Sequence, residues 1–372
     1  MNADGGCGRS GVSDRAYPSR MAAPIGGIER ALDYPRLRWM GNKSRLLPWI
    51  HAELEALSFD SALDAFCGSG AVSYLLKSMG KRVLANDFMR FGATLAEALT
   101  VNPGLRLGEE IIDRIAAPDA GPRAAGFIET TFSGIFFDPE DLAFLDRARA
   151  RIERLPGPRR ALALAALGRA ALKKQPRGVF TISGDLSRHD DGRRDLRLPL
   201  AQHFRESAAL FDAMVFDDGL DHASRFGDVF DIDRRDFDLV YLDPPYVPRA
   251  DDNCYVKRYH FVEGLMSGWQ APEARILPDS KVKKLEKRYS PFSYRKSALE
   301  AFDRLFATFR DSILVLSYSS NGWPDLEHLC DLMRAHKPEI EVKSHTHRYH
   351  FGNHPSVAGS RRLVDEYLII GR

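Results

Sequence analysis

Four consecutive residues, Asp243-Pro244-Pro245-Tyr246, combine an acid, two imino acids and an aromatic ring directly after the apolar run Phe237-Asp238-Leu239-Val240-Tyr241-Leu242. A carboxylate and the carbonyl beside it accept the two hydrogens of an amine, while a tyrosine ring stacks on a flat heterocycle. The prolines carry no backbone N–H and have a fixed φ, so they stiffen the loop that presents those groups. Together these residue types suit one task, holding a planar ring that bears an amine. The preceding run reads as a buried strand stopped by the prolines. The tetrapeptide then lies at a carboxyl strand edge, which is where open parallel α/β sheets bind ligands. A Pro-Pro turn alone is more often structural, so the elements around it decide.

Upstream, Leu63-Asp64-Ala65-Phe66-Cys67-Gly68-Ser69-Gly70 runs into the helix-like stretch from Ala71 to Lys77. Glycines at a strand-to-helix turn admit a ligand close to the backbone and leave helix N-terminal amides free. The spacing is not the dinucleotide fingerprint. Arg82-Val83-Leu84-Ala85 reads as the next strand and ends in Asn86-Asp87, near the distance at which Rossmann-like folds set an acid on ribose hydroxyls. Earlier still, Trp39-Met40-Gly41-Asn42-Lys43 offers a ring to lie beside a sulfonium or an adenine and an ammonium to meet a carboxylate. Each piece has a plain structural reading, a core tryptophan or a solvated acid. The ordered set is stronger than any member.

In this order the segments resemble the Dam-like, DPPY-type adenine-N6 DNA methyltransferases. Tyr255 to Leu265, Leu316-Ser-Tyr-Ser-Ser-Asn321 and the closing Glu366-Tyr-Leu-Ile-Ile370 add to the likeness, which covers roughly residues 34 to 90 and 225 to 372. The resemblance implies a doubly wound, Rossmann-like class I methyltransferase sheet of the α/β class. It implies S-adenosylmethionine as cofactor, with Trp39, Lys43, Asp87 and Asp243 as contacts and Phe66 and Gly68 lining its pocket. Asp228, in Phe226-Gly-Asp-Val-Phe230, would meet the cofactor's adenine. Asp243, Pro244, Pro245 and Tyr246 would form the catalytic loop.

Past Asp87 the strand–helix rhythm gives way to a mostly helical stretch. Residues 139–154 and 160–174 read as two helices around Leu155-Pro-Gly-Pro158, Gln175 to Ile182 as a loop entering a short strand, and Arg188 to Arg197 as an exposed hairpin or loop. The domain reading is a disordered tail over 1–28, a catalytic domain from 29–93 and 225–372, and an inserted target-recognition region over 94–224. Met21 is an alternative translation start. A strand over 312–317 and a last one over 364–370 complete the sheet.

Composition bounds the partners. With 44% hydrophobic residues the 372-residue chain can bury a large core, and its net charge of +2 requires nucleic-acid affinity to come from local patches. The basic residues of 147–177 are one candidate, although such runs are usually solvated helix faces. Lys257-Arg258 and the run Lys281, Lys283, Lys284, Lys287 and Arg288 are better candidates for phosphate contacts. Cys7, Cys67, Cys254 and Cys330 show no metal-ligand spacing and fit a reduced, cytoplasmic protein. His345, His347, His350 and His354 lack a completing cysteine or acid, so no metal is expected. No membrane span is expected either.

The expected activity is site-specific transfer of a methyl group from S-adenosylmethionine to adenine N6 in DNA, with double-stranded DNA as the partner, by base flipping and direct transfer. Alternatives are methylation of RNA adenine or of DNA cytosine N4, or a non-catalytic nucleic-acid-binding regulator on the same scaffold. A cognate restriction endonuclease is a further expected partner.

Overall fold

The computed structural model describes residues 27–121, 124–181, 192–233, 236–247, 254–348 and 363–372. Seven strands form one sheet: β1 (Ser61–Asp64), β2 (Arg82–Asp87), β3 (Ala223–Phe226), β4 (Leu239–Leu242), β5 (Ile313–Ser319), β6 (Ile340–Arg348) and β7 (Leu363–Gly371), in the order β3-β2-β1-β4-β5-β7-β6. The first five run parallel, and β7 is antiparallel to both β5 and β6. The order reverses between β1 and β4, so the carboxyl ends of those two strands flank the crevice expected to bind ligand. Asp64 stands in register with Tyr241, two residues before Asp243.

Alternation along the strands sends side chains to two different cores. Ala62, Leu239, Tyr241, Val315, Leu368 and Ile370 enter one. Leu63, Val240, Leu242, Leu314, Leu316 and Ile369 enter the other. The second core is closed by α12 (Arg295–Thr308) and α13 (Leu326–Arg334). The first is covered by α1 (Gly27–Leu32), α2 (Leu47–Glu55), α3 (Ala71–Ser78), α4 (Arg90–Ala96) and α11 (Tyr255–Ser267). The chain is thus doubly wound, as its motifs imply.

Between β2 and β3 come α5 (Gly108–Ala116), α6 (Phe127–Thr131), α7 (Pro139–Ile152), α8 (Gly157–Lys173), α9 (Arg194–Arg197) and α10 (Leu200–Met214). The two helices legible in sequence are α7 and α8. Asp138 caps α7 by accepting from the Asp141 N–H, with Pro139 in the first turn, and a proline also opens α8. From Ala161 to Leu172 α8 is mostly Ala and Leu and buried on most sides, and its residues share one hydrophobic cluster with the sheet. A close approach makes this possible: a Cβ at Gly168 would stand 2.5 Å from the Phe91 ring of α4.

Several local expectations are corrected. Residues 175–181 form turns and bends with no strand among them, Ile182 lying outside the described residues, and the Gln175 amide is buried, donating to the Phe136 carbonyl. Within the expected hairpin, 194–197 is the single helical turn α9, drawn in by Asp195 pairing with Arg38 and Lys173. Residues 1–26, 182–191, 350 and 354 lie outside the described residues, and with them the tail, the start-site question and two of the histidines. The first basic run is largely consumed inside the molecule. Arg149 donates to the Leu265 carbonyl, Arg151 to the Ile115 carbonyl, and Lys174 pairs with Asp141 at 2.8 Å.

Candidate active site

The loop after β4 is held from three sides. Lys43, from the short helical turn Lys43–Arg45 after Trp39, donates to Asp243 Oδ1 at 2.8 Å and to the Tyr246 hydroxyl at 2.8 Å, and lies 3.2 Å from Glu366 Oε1. The Tyr246 hydroxyl reaches Asp243 Oδ1 and Glu366 Oε1, each at 2.9 Å. Ser317 on β5 donates to the same Glu366 oxygen at 2.8 Å. One ammonium, two carboxylates and one phenol therefore form a closed network. It fastens Asp243 by Oδ1 and leaves Oδ2 without a hydrogen bond among the described residues.

Burial alone would lower the Lys43 pKa, but the charges of Asp243 and Glu366 outweigh it and hold the ammonium firmly protonated. Burial raises the Asp243 carboxyl, with Lys43 opposing and Glu366 reinforcing the rise. The Tyr246 phenol is pushed far above its ordinary range by burial and then by the Asp243 charge, so it stays a neutral donor. Its ring packs on Tyr318 at 4.5 Å, tilted 60°, and also lines the cleft.

That cleft brings together every residue singled out from sequence: Trp39, Lys43, Phe66, Gly68, Asp87, Asp228, Asp243, Pro244, Pro245 and Tyr246. Gly68 and Gly70 sit at φ +50° and +77°, the left-handed region that lets the turn curl before α3. A Cβ at Gly68 would stand 3.1 Å from Trp39 Nε1. Trp39 is itself stacked on Tyr259 of α11 at 4.1 Å, so it is at once cleft wall and packing anchor. Phe66 meets Phe292 edge-on at 5.2 Å.

Asp87 departs from a freely presented acceptor. Its Oδ2 takes the Gly68 N–H and its Oδ1 the Met89 N–H, each at 2.7 Å, so the acid stitches the glycine turn to the end of β2. Oδ2 also takes the Cys67 thiol at 4.0 Å, and Oδ1 keeps a lone pair for a ligand hydroxyl. Burial raises its pKa to about 6 against those two amides. Asp228 caps the helical turn Val229–Asp231 with Oδ1 while lining the cleft.

Three further residues belong to the site: Asp64 and Glu366, which were not singled out from sequence, and Arg288, which was expected on DNA phosphates. Asp64 is 1% exposed, accepts the Ser73 hydroxyl at 2.6 Å, and has its other oxygen buried without a hydrogen-bond partner; the Phe66 amide faces it outside bonding geometry. Burial raises its pKa to about 7 despite Ser73, and the Asp243 and Asp87 charges add to the rise. Glu366, on β7, had one visible signal, an acid at the head of the apolar run Tyr367–Ile370 of the closing strand. Arg288 lines the cleft but is turned inward onto Glu263 at 2.7 Å, and Glu263 in turn accepts the Arg90 and Phe91 amides at the start of α4. Arg288 is thereby removed from the phosphate-contact candidates.

A buried unpartnered carboxylate oxygen, a second acid raised to about 6 and aromatic walls fit a ligand that is cationic, bears hydroxyls and carries a flat ring. Among the described residues no group of His, Cys, Asp and Glu converges to hold a metal ion, and no helix is long and apolar enough to cross a membrane.

Residues 39–160 match the model of the D12 class N6 adenine-specific DNA methyltransferases. Over 330 residues the chain is 29% identical to the type II methyltransferase M2.HphI of Haemophilus parahaemolyticus, an alignment covering 85% of this chain and 92% of that protein. Modification methylase LlaI of Lactococcus lactis subsp. lactis is 22% identical over 356 residues, covering 90% of this chain and 54% of that one.

Proposed function

We propose that the chain is a D12 class N6 adenine-specific DNA methyltransferase, and that its residues perform site-specific methylation of adenine in DNA as follows. The carrying observation is the Lys43–Asp243–Tyr246–Glu366 network at the carboxyl end of β4. Adenine's exocyclic amine is a poor nucleophile because its lone pair is delocalised into the ring. Asp243 Oδ2 and the Pro244 carbonyl accept the two amine hydrogens, which localises the lone pair and fixes its direction. The ring of Tyr246 stacks on the base once it has left the duplex, and its tethered hydroxyl keeps the ring from swinging.

S-adenosylmethionine, when bound, supplies a methyl group on a sulfonium leaving group. Asp87, Asp228, Phe66, Gly68 and Trp39 would hold its nucleoside, and Asp64 suits its cationic end. Lys43, the one sequence candidate for the cofactor's carboxylate, is committed to Asp243 and Glu366, and we assign it to holding the catalytic loop. The same reading gives the catalytic unit residues 29–93 and 225–372, the recognition role to 94–224, a duplex substrate and a cytoplasmic setting. The relatives' names, a type II methyltransferase and a modification methylase, support a cognate restriction endonuclease as partner.

The test is expression in a host free of DNA methylation, followed by sequencing that registers modified adenine. Methylated adenine at a defined motif is expected. Asp243→Ala should lower turnover ~100-fold or more while the protein stays folded. An unmodified genome, or near-normal turnover by the purified variant, sinks the reading.

A further inference from the structure

Between residues 281 and 296 lie seven lysines and arginines against a single acid, Glu286, a local charge of +6 in a chain whose total is +2. The rest of the molecule is therefore net acidic. Lys281, Lys287, Arg295 and Lys296 in this segment are exposed. Within it stands Tyr289, 62% exposed although aromatic. One face of its ring stacks on Tyr294 at 5.3 Å and 14°, and Lys287 Nζ lies 5.0 Å over the Tyr294 ring. Tyr294 and its neighbours Ser290, Pro291 and Phe292 line the active-site cleft, so the stacked pair begins at the cleft wall and runs outward.

We propose that Tyr289 and Tyr294 form a stacking platform at the cleft mouth for a nucleobase of the DNA strand that delivers the target adenine, with Lys287 and Lys296 on its phosphates. This rests on the methyltransferase reading and adds to it the path of the strand. Aromatic rings interleaved with lysines are what single-stranded nucleic acid requires: every base has a π face, and the cations follow the backbone. A strand whose target base has been turned out is locally unstacked, and its neighbouring base needs a new stacking partner. The partly buried Tyr294 fixes the orientation of Tyr289, so little rotamer freedom is lost on binding.

The probes are a fluorescein-labelled 20-mer of oligo-dT, which cannot be methylated at adenine, and unmethylated plasmid DNA as methyl acceptor. Tyr289→Ala should weaken oligo-dT binding ~10-fold and raise the KM for plasmid to a similar extent, with kcat at saturating DNA unchanged. Tyr289→Phe should behave as the parent. Lys287→Ala and Lys296→Ala should each flatten the salt dependence of oligo-dT binding by ~0.7 in log–log slope. Parental affinity and KM in Tyr289→Ala overturn the platform, as does an equal loss in Tyr289→Phe, which would assign the effect to the hydroxyl. If the parent binds oligo-dT through Tyr289 but methylates no plasmid, the platform stands and the methyltransferase reading falls. Methylation indifferent to Tyr289 gives the reverse.

Discussion

At the scale of single residues, the site turns on how one carboxylate is divided between its two oxygens. Asp243 Oδ1 is occupied by Lys43 and Tyr246, and only Oδ2 faces the work. Glu366 maintains that division by drawing part of the Lys43 charge and the Tyr246 hydroxyl to itself. Glu366→Gln keeps the shape but loses the charge, and a charge-assisted hydrogen bond is worth ~1.5–3 kcal/mol. We expect kcat to fall roughly 10- to 100-fold, with little change in KM for DNA, by steady-state kinetics; an unchanged kcat would make Glu366 merely structural. A second prediction concerns Asp64, whose carboxyl is raised by burial to about 7. A folded-state pKa above the unfolded one means that the native protein binds the extra proton, so stability falls as pH rises from about 4 through 7. Asp64→Asn removes that dependence. Its stability relative to the parent should improve by up to ~1.4 kcal/mol per pH unit across this window, read from urea unfolding at pH 5, 6 and 7. Parallel pH profiles for the two proteins would refute the raised carboxyl.

At the scale of elements, the start of α4 is the most constrained junction. Gly92 packs so closely on Asp87 that a Cβ would stand 2.5 Å from its carboxylate carbon. Gly92→Ala must push Asp87 away from the Gly68 and Met89 amides. The expected outcome is at least a tenfold loss of S-adenosylmethionine affinity by calorimetry, with DNA affinity retained, and unaltered cofactor binding would show that the acid is dispensable. In the helical insertion, α7 and α8 spend many of their basic side chains on internal partners, and Arg193 is anchored to the Pro176 carbonyl at 2.8 Å. Arg177 is exposed and is the better probe of recognition. Arg177→Ala should weaken DNA binding or relax the choice of one base, by about 1–3 kcal/mol in the second case, while sparing cofactor binding. A salt series on cognate and scrambled duplexes checks this; no change in affinity, slope or preference there removes Arg177 from recognition.

For the whole molecule, both cores meet at the sheet, and the cleft opens where the strand order reverses. The insertion is not a separate globule on a tether, because α7, α8 and α10 are buried in the same cluster as β1, β4 and β7. Ligand binding at the switch point should therefore stabilise the molecule as a unit. At a hundredfold excess over Kd, S-adenosylmethionine should contribute ~2.7 kcal/mol and raise the melting temperature by several degrees. Differential scanning fluorimetry with and without cofactor checks this, and an unshifted transition would count against the pocket.

The sequence by itself determined the local parts. Apolar runs marked β1, β2, β4 and β5, the first closed by a glycine turn and the third by prolines, and residue chemistry at strand carboxyl ends marked Asp87, Asp243 and Tyr246, because strand ends and turns are written in a few adjacent residues. The break at Leu155-Pro-Gly-Pro158 marked α7 and α8 in the same way. Contacts between distant segments were decided only by the tertiary structure. Glu366 lies 120 residues beyond Tyr246, and the antiparallel insertion of β7 beside β5 carries it beneath the loop. The inward turn of Arg288 depends on Glu263, the second amide on Asp87 on the curl at Gly68, and the loss of solvation at Asp64 on the packing of α3 over β1. None of these is a property of spacing along the chain. Each arises from which charges burial forces together, and that is set only when the strands have found their order.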